Sequence, residues 1–192
     1  VTSGDHAALL REAIELDATA QRALLRGDAT RASTLFRAAA ERYRASWEAA
    51  PPRSFGRLVG LLKASILAGD GGHDAAYVRS ALEDGCDSPP SCYAFALAAL
   101  AQGDDEAALP AIEGMRAGDE AFGRTADAMA ALVRGDADAY GTAIRAIVED
   151  FAAREAYLTG VAFADTAVVL ERLASPRGLA ARPVSSLMPV LG

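Results

Sequence analysis

Apolar residues recur along this chain at intervals of three and four, the spacing that places side chains on one face of an α-helix. Over residues 5–26 the stripe is Leu9, Leu10, Ala13, Leu16, Ala20 and Leu24; over 29–50 it is Ala32, Phe36, Ala39, Tyr43 and Trp47. Pro51-Pro52 ends the second helix. The same reading predicts helices over 54–68, 74–84, 91–102, 105–117, 119–134, 137–154 and 164–174. No alternating β-branched run occurs, so no sheet is predicted. Ala167-Val168-Val169-Leu170 comes nearest to one, but its neighbours favour helix, with Asp165 or Thr166 as the cap.

The breaks between these stripes share a signature. Gly-Asp stands at 27–28, 69–70, 103–104, 118–119 and 135–136. Glycine accepts the left-handed conformation that ends a helix, and aspartate caps the next one through its free N–H groups and its positive end. The loop Gly69-Asp70-Gly71-Gly72-His73-Asp74 is longer, and Asp74 is the expected N-cap there. The segment 176–192 alternates Pro176, Pro183 and Pro189 with Leu179, Val184, Leu187, Met188, Val190 and Leu191. Its prolines prevent a long helix, and its apolar content predicts a tail packed across a helix face as a cap, or a homodimer contact.

The major Gly-Asp turns lie 42, 34 and 32 residues apart. Around Gly27, small residues stand seven places before (Ala20) and five after (Ala32), with bulky Phe36 nine after; Ala96, Ala108 and Ile112 repeat this around Gly103. Around Gly135 the second small site is Tyr140, and around Gly69 the first two sites are Leu62 and Asp74. This spacing resembles a degenerate tetratricopeptide repeat over residues 16–154. The resemblance implies antiparallel helix pairs stacked as an array with a groove for a peptide or protein. The alternative is a generic alanine-rich bundle.

The last third carries a second resemblance. Gly135-Asp136-Ala137-Asp138-Ala139-Tyr140 leads into Ile144, Ile147, Val148 and Phe151; then come Ala164 to Leu170, Arg177-Gly178-Leu179 and Ser186-Leu187-Met188-Pro189. This order is similar to the closing segment of all-α immunity proteins of bacterial polymorphic toxin systems. It implies a protein that neutralises a cognate toxin without chemistry of its own.

Composition narrows the function classes. The chain has 192 residues, enough for one domain with a core, and is 52% hydrophobic, much of it alanine. There is no run of about 20 apolar residues, so no membrane span is predicted, and the first residues lack a signal-peptide layout. A cytoplasmic location is therefore expected. One lysine against eighteen arginines points to a GC-rich bacterial genome. The net charge of −7 weighs against nucleic acid as a partner. It is unevenly spread: residues 1–63 carry ten basic and seven acidic side chains, residues 64–192 nine and nineteen. Cys86 and Cys92 flank a turn-rich loop with no histidine near, so no zinc site is predicted. In a reducing cytoplasm they are expected to be separate thiols.

Candidate chemistry is sparse. His6 and His73 are the only histidines. Asp74 could orient His73 with Ser65 as nucleophile, but nothing in the spacing demands it. Asp104-Asp105-Glu106 suits a helix start better than a cation. Glu12, Glu15 and Asp17 share a helix, yet Asp17 is out of step for a metal pair. Arg26-Gly27-Asp28 and Arg134-Gly135-Asp136 are helix ends. Arg37, Arg42, Arg44, Arg53, Arg57 and Lys63 interleave with Tyr43, Trp47 and Phe55, a composition suited to an interface. Arg37 has Glu41 one turn on as a dull partner, and Tyr43 and Trp47 belong to the core stripe.

The sequence therefore predicts an all-α domain spanning 1–192, with about eight or nine helices in a body over 5–174 and a tail over 176–192. It predicts a non-enzymatic protein- or peptide-binding module with Arg53, Arg57 and Lys63 as partner contacts, and with no catalytic, cofactor or metal residues. Toxin neutralisation and an interhelical pocket for a small ligand or an enzymatic reaction are the alternatives.

Overall fold

A computed structural model describes residues 5–83 and 85–189. They form nine α-helices and no strand: α1 (Asp5–Leu25), α2 (Ala29–Ala49), α3 (Gly56–Ala68), α4 (Gly71–Ala81), α5 (Pro89–Ala101), α6 (Asp105–Met115), α7 (Glu120–Arg134), α8 (Ala137–Ala152) and α9 (Asp165–Ala174). A single 3-10 turn, Ser175–Arg177, follows. Among the described residues no helix is long and apolar enough to cross a membrane.

The Gly-Asp turns work as local physics requires. Gly27, Gly69, Gly103 and Gly135 have φ between 68° and 94°, a region that penalises any Cβ. At each, the following aspartate N–H reaches back to close the helix, as from Asp28 to Ala23 O at 3.0 Å and from Asp104 to Ala99 O at 2.9 Å. Asp28, Asp104, Asp119 and Asp136 then accept from N–H groups of the next helix. Asp70 is the exception: its carboxylate pairs with Arg37, and α4 starts at Gly71 without a side-chain cap. Asp74, expected as that cap, lies inside α4 and accepts from Ser65 Oγ at 2.6 Å. An acceptor on a neighbouring helix displaces the local capping role. Arg37 likewise meets Asp70 across helices instead of Glu41 on its own.

Consecutive helices pack against one another, most extensively α1 with α2. Ala13, Ala20, Ala32 and Ala39 on that pair are at most 1% exposed, so thin side chains bring the axes close, and Phe36 fills the space beside them. Ala32→Leu is expected to cost about 1–3 kcal/mol by overpacking. A urea midpoint equal to that of the natural protein would show a looser contact.

Helix α9 does not continue the series of pairs. It lies against α3, α7 and α8. Its Ala167, Val168, Val169 and Leu170 are fully buried, and its N-cap is Ala164, with Asp165 at the first helical position. The tail folds back beside it. Leu187 and Met188 are buried, and Ala164 N–H donates to Leu187 O at 3.0 Å. Glu171 of α9, 1% exposed, accepts from Tyr140 Oη (3.0 Å) and from the N–H groups of Ala181 (3.0 Å) and Arg182 (2.7 Å). Positions 190–192 of the tail lie outside the described residues.

The cysteines correct the sequence expectation. Cys86 and Cys92 are joined as a disulfide, their Cα atoms 4.9 Å apart. The turn before α5 brings them together, and Gly114 of α6 makes room, since a Cβ there would lie 2.7 Å from Cys92 Sγ. Closing so short a loop restricts the unfolded chain only modestly, so reduction is expected to cost about 2 kcal/mol. Melting with and without dithiothreitol checks this.

Candidate functional site

The residues flagged from sequence do not share one place. Arg53 is exposed in the α2–α3 loop at φ 69°, pairs with Asp87 at 2.7 Å, and ties that loop to the one before α5. Arg57 donates from Nε to the buried Ser46 Oγ at 2.8 Å and lies 3.0 Å from His6 Nδ1. Ser46 in turn donates to His6 O at 2.7 Å, so Arg57 helps fasten the start of α1. Lys63 projects from the middle of α3 toward α9. It bonds Asp165 and Thr166 Oγ1, each at 2.9 Å, and faces the Tyr93 ring at 5.5 Å.

Arg57 and Lys63 line the same recess, a cavity of about 310 Å³. It opens between α1 and α3, with Tyr43 of α2 on one side and the 153–164 segment across it. Two features of the sequence create it. Leu10, Ile14 and Asp17 fall on one face of α1, as i, i+4 and i+7. On α3, Gly60 removes a side chain where Tyr43 must pass: a Cβ there would come within 2.9 Å of the ring. Leu10, Ile14, Val59, Phe151, Val161 and Phe163 make most of the wall apolar.

The inner end is polar. Asp17 accepts from Gln21 Nε2 at 2.9 Å and from Tyr43 Oη at 3.1 Å. Gln21 Oε1 accepts from Thr159 Oγ1 at 2.7 Å, which anchors the 153–164 segment. Burial, and then the nearby Asp165 carboxylate, push the Asp17 pKa up to about 6 against the partial relief given by Tyr43, Gln21 and Lys63. Burial and Asp17 together hold the Tyr43 phenol protonated. Burial alone would pull the Lys63 ammonium toward neutrality; Asp165, with Tyr93 behind it, outweighs that and keeps it charged.

The Asp17 shift has a stability consequence. The folded state holds the proton to higher pH than the unfolded chain, so ionised Asp17 destabilises the fold above about pH 6, and that penalty disappears as pH falls toward the ordinary carboxylate value. Asp17→Asn is expected to stabilise the protein by about 1–3 kcal/mol at neutral pH and by little near pH 4. Equal gains at both pH values would contradict the assigned carboxylate.

Two further recesses flank this one. A cavity of about 290 Å³ shares Lys63, Arg154, Leu158 and Asp165 with it and extends to Tyr93 and Phe122. A larger one, about 610 Å³, lies on the other side of α3 with Arg37, Arg44, Asp70, His73 and Asp74. Its charges face one another: Arg37 pairs with Asp70, and Arg44, stacked 3.7 Å over Tyr77, sits 3.7 Å from Asp74. Because Asp74 accepts from Ser65 directly, the imagined Ser65–His73–Asp74 order is not assembled. Among the described residues no group of three or more histidine, cysteine or acidic side chains could hold a metal.

Sequence reasoning sets Asp17 aside as out of step for a metal pair and passes over Asp165, and also over Glu171, which lies outside the recess and holds the tail. For two of them a signal is present: an acidic residue on an otherwise apolar stripe, Asp17 between Ala13 and Ala20, Glu171 amid Val168, Leu170 and Ala174. The chain matches no protein-family model, no curated protein and no solved structure.

Proposed function

We propose that this is a non-enzymatic binding protein whose ligand occupies the α1–α3 recess. One observation carries the reading: an apolar cavity of about 310 Å³ that ends on convergent titratable groups, the form small-molecule sites take. In an open array of helix pairs the first helices would line a groove for an extended peptide. Here α9 rests on two of those first helices, α3 and α7. The space left beside α1 suits a compact ligand better than a long strand of peptide.

Native mass spectrometry of gently purified protein, followed by a thermal-shift screen of small metabolites, tests the reading. A ligand held at about 100 times its Kd adds about 2.7 kcal/mol to the natural protein. The cavity-filling Val59→Trp variant should gain nothing from it. A ligand that stabilises both equally, or none across a broad screen, would reject the recess as the site.

A protein partner, of which a toxin is one case, is the second reading. Leu158 favours it, standing 80% exposed at the mouth of the recess. Isolated surface leucines are common, so the cavity weighs more.

A further inference from the structure

Ion pairing inside the recess is lopsided. Lys63 is matched by Asp165, and Arg154 by Asp150, which Arg124 shares; the Arg154 guanidinium lies 3.7 Å over Phe151. Arg57 is held by Ser46 and His6 at the outer end. Eleven residues of α1 separate His6 from Asp17, about 16 Å along the helix axis. Asp17 alone has its two oxygens held only by neutral donors, Gln21 and Tyr43, and among the described residues no lysine or arginine lies within ion-pair distance of it. Tyr43 touches it, and Phe151, Tyr157 and Phe163 line the same recess.

A partly buried carboxylate without a cation is costly, and each of its oxygens still has a free lone pair. An incoming ammonium would supply the missing charge through a charge-assisted hydrogen bond, and aromatic faces attract the same cation. At the inner end an anionic ligand would meet Asp17 and Asp165, with Lys63 there already matched by Asp165; Arg57, which has no carboxylate partner, stands at the outer end beside Ser46 and His6. From this juxtaposition we infer that the recess binds a small organic amine, its ammonium against Asp17 and its apolar body along Ile14, Val59 and Phe151.

This rests on the recess being a ligand site. It deepens that reading by naming the ligand's charge. The titratable and charged groups that line the recess with Asp17 are Tyr43 from α2, Lys63 and Arg57 from α3, Arg154 and Tyr157 from the segment after α8, and Asp165 at the start of α9. Of these, Asp165 opposes a second ionised carboxylate and Lys63 assists it. A bound ammonium therefore competes with a proton, and affinity falls as pH drops through about 6.

The test titrates the full chain with phenethylamine, 2-phenylethanol and phenylacetate, following methyl and aromatic NMR resonances of the recess. At about pH 7.5 the amine should bind at least about ten-fold more tightly than the alcohol, a gap of about 1.4 kcal/mol, with the acid weakest. Asp17→Asn, checked for folding by circular dichroism, should erase that preference. The natural protein should also lose it near pH 5, a measurement that needs no variant. An alcohol or acid that binds as well as the amine, or a preference that survives Asp17→Asn or acid, overturns the amine assignment and leaves the recess as a ligand site. If none of the three probes moves recess resonances at millimolar concentration, the amine assignment falls, while the recess as a ligand site falls only if the broad metabolite screen also finds nothing.

Discussion

Glu171→Ala is expected to remove about 3–5 kcal/mol of stability. The carboxylate is almost fully buried and gathers three donors from two parts of the chain: the Tyr140 hydroxyl of α8 and the backbone N–H groups of Ala181 and Arg182. Alanine would leave all three without their acceptor, and each buried orphan costs about 1–3 kcal/mol before water enters. For a chain of this length the melting temperature should fall by about 6–20 °C. Glu171→Gln keeps one acceptor oxygen and should lose roughly half as much. Because two of the donors belong to the tail, the variant should also become sensitive to trypsin after Arg177, which Gly178 follows. A loss under about 1 kcal/mol, with the tail still protected, would show that apolar contacts at Leu187 and Met188 hold it alone.

Lys63→Met should cost about 3–5 kcal/mol by leaving Asp165 charged and unmatched beside Asp17. The pair bridges α3 and the start of α9 at 2.9 Å, with Lys63 Nζ also on Thr166. Lys63 is mostly buried and Asp165 about one-third exposed, so some of the loss is recovered through water. The pH at which Asp17 titrates should rise, because the nearest cation is gone. Removing both charges, in Lys63→Met with Asp165→Asn, should restore most of the stability, since methionine fills the lysine's apolar path. Urea unfolding of the two single variants and the double variant measures the coupling. Additive losses would mean that the pair contributes nothing as a pair.

The fold is legible in the sequence because its punctuation is local. Glycine at positive φ and aspartate at an N-cap act within one turn of where they stand, so helix ends at 25–29, 101–105 and 134–137 follow from the residues themselves. The start of α4 does not follow, because Asp70 and Asp74 answer to Arg37 and Ser65 on other helices. The recess is hidden for the same reason at longer range. Asp17 and Asp165 face the same cavity from opposite ends of the chain, and no periodicity connects them. Lys63 stands out for its charge in an arginine-rich stretch, but its pairing partner cannot be read from that stretch. The disulfide escapes a reading that weighs the compartment above the six-residue separation, which is the feature that brings the sulfurs together.

The seating of α9 on α3 has a bearing on biosynthesis. Stacked pairs can in principle form one after another as they emerge from the ribosome, each resting on its predecessor. This chain cannot finish that way, because a helix in its first third acquires one of its packed neighbours, α9, about a hundred residues later. Completion therefore waits until α9 has emerged, and unfolding should proceed as one cooperative event instead of fraying pair by pair from an end.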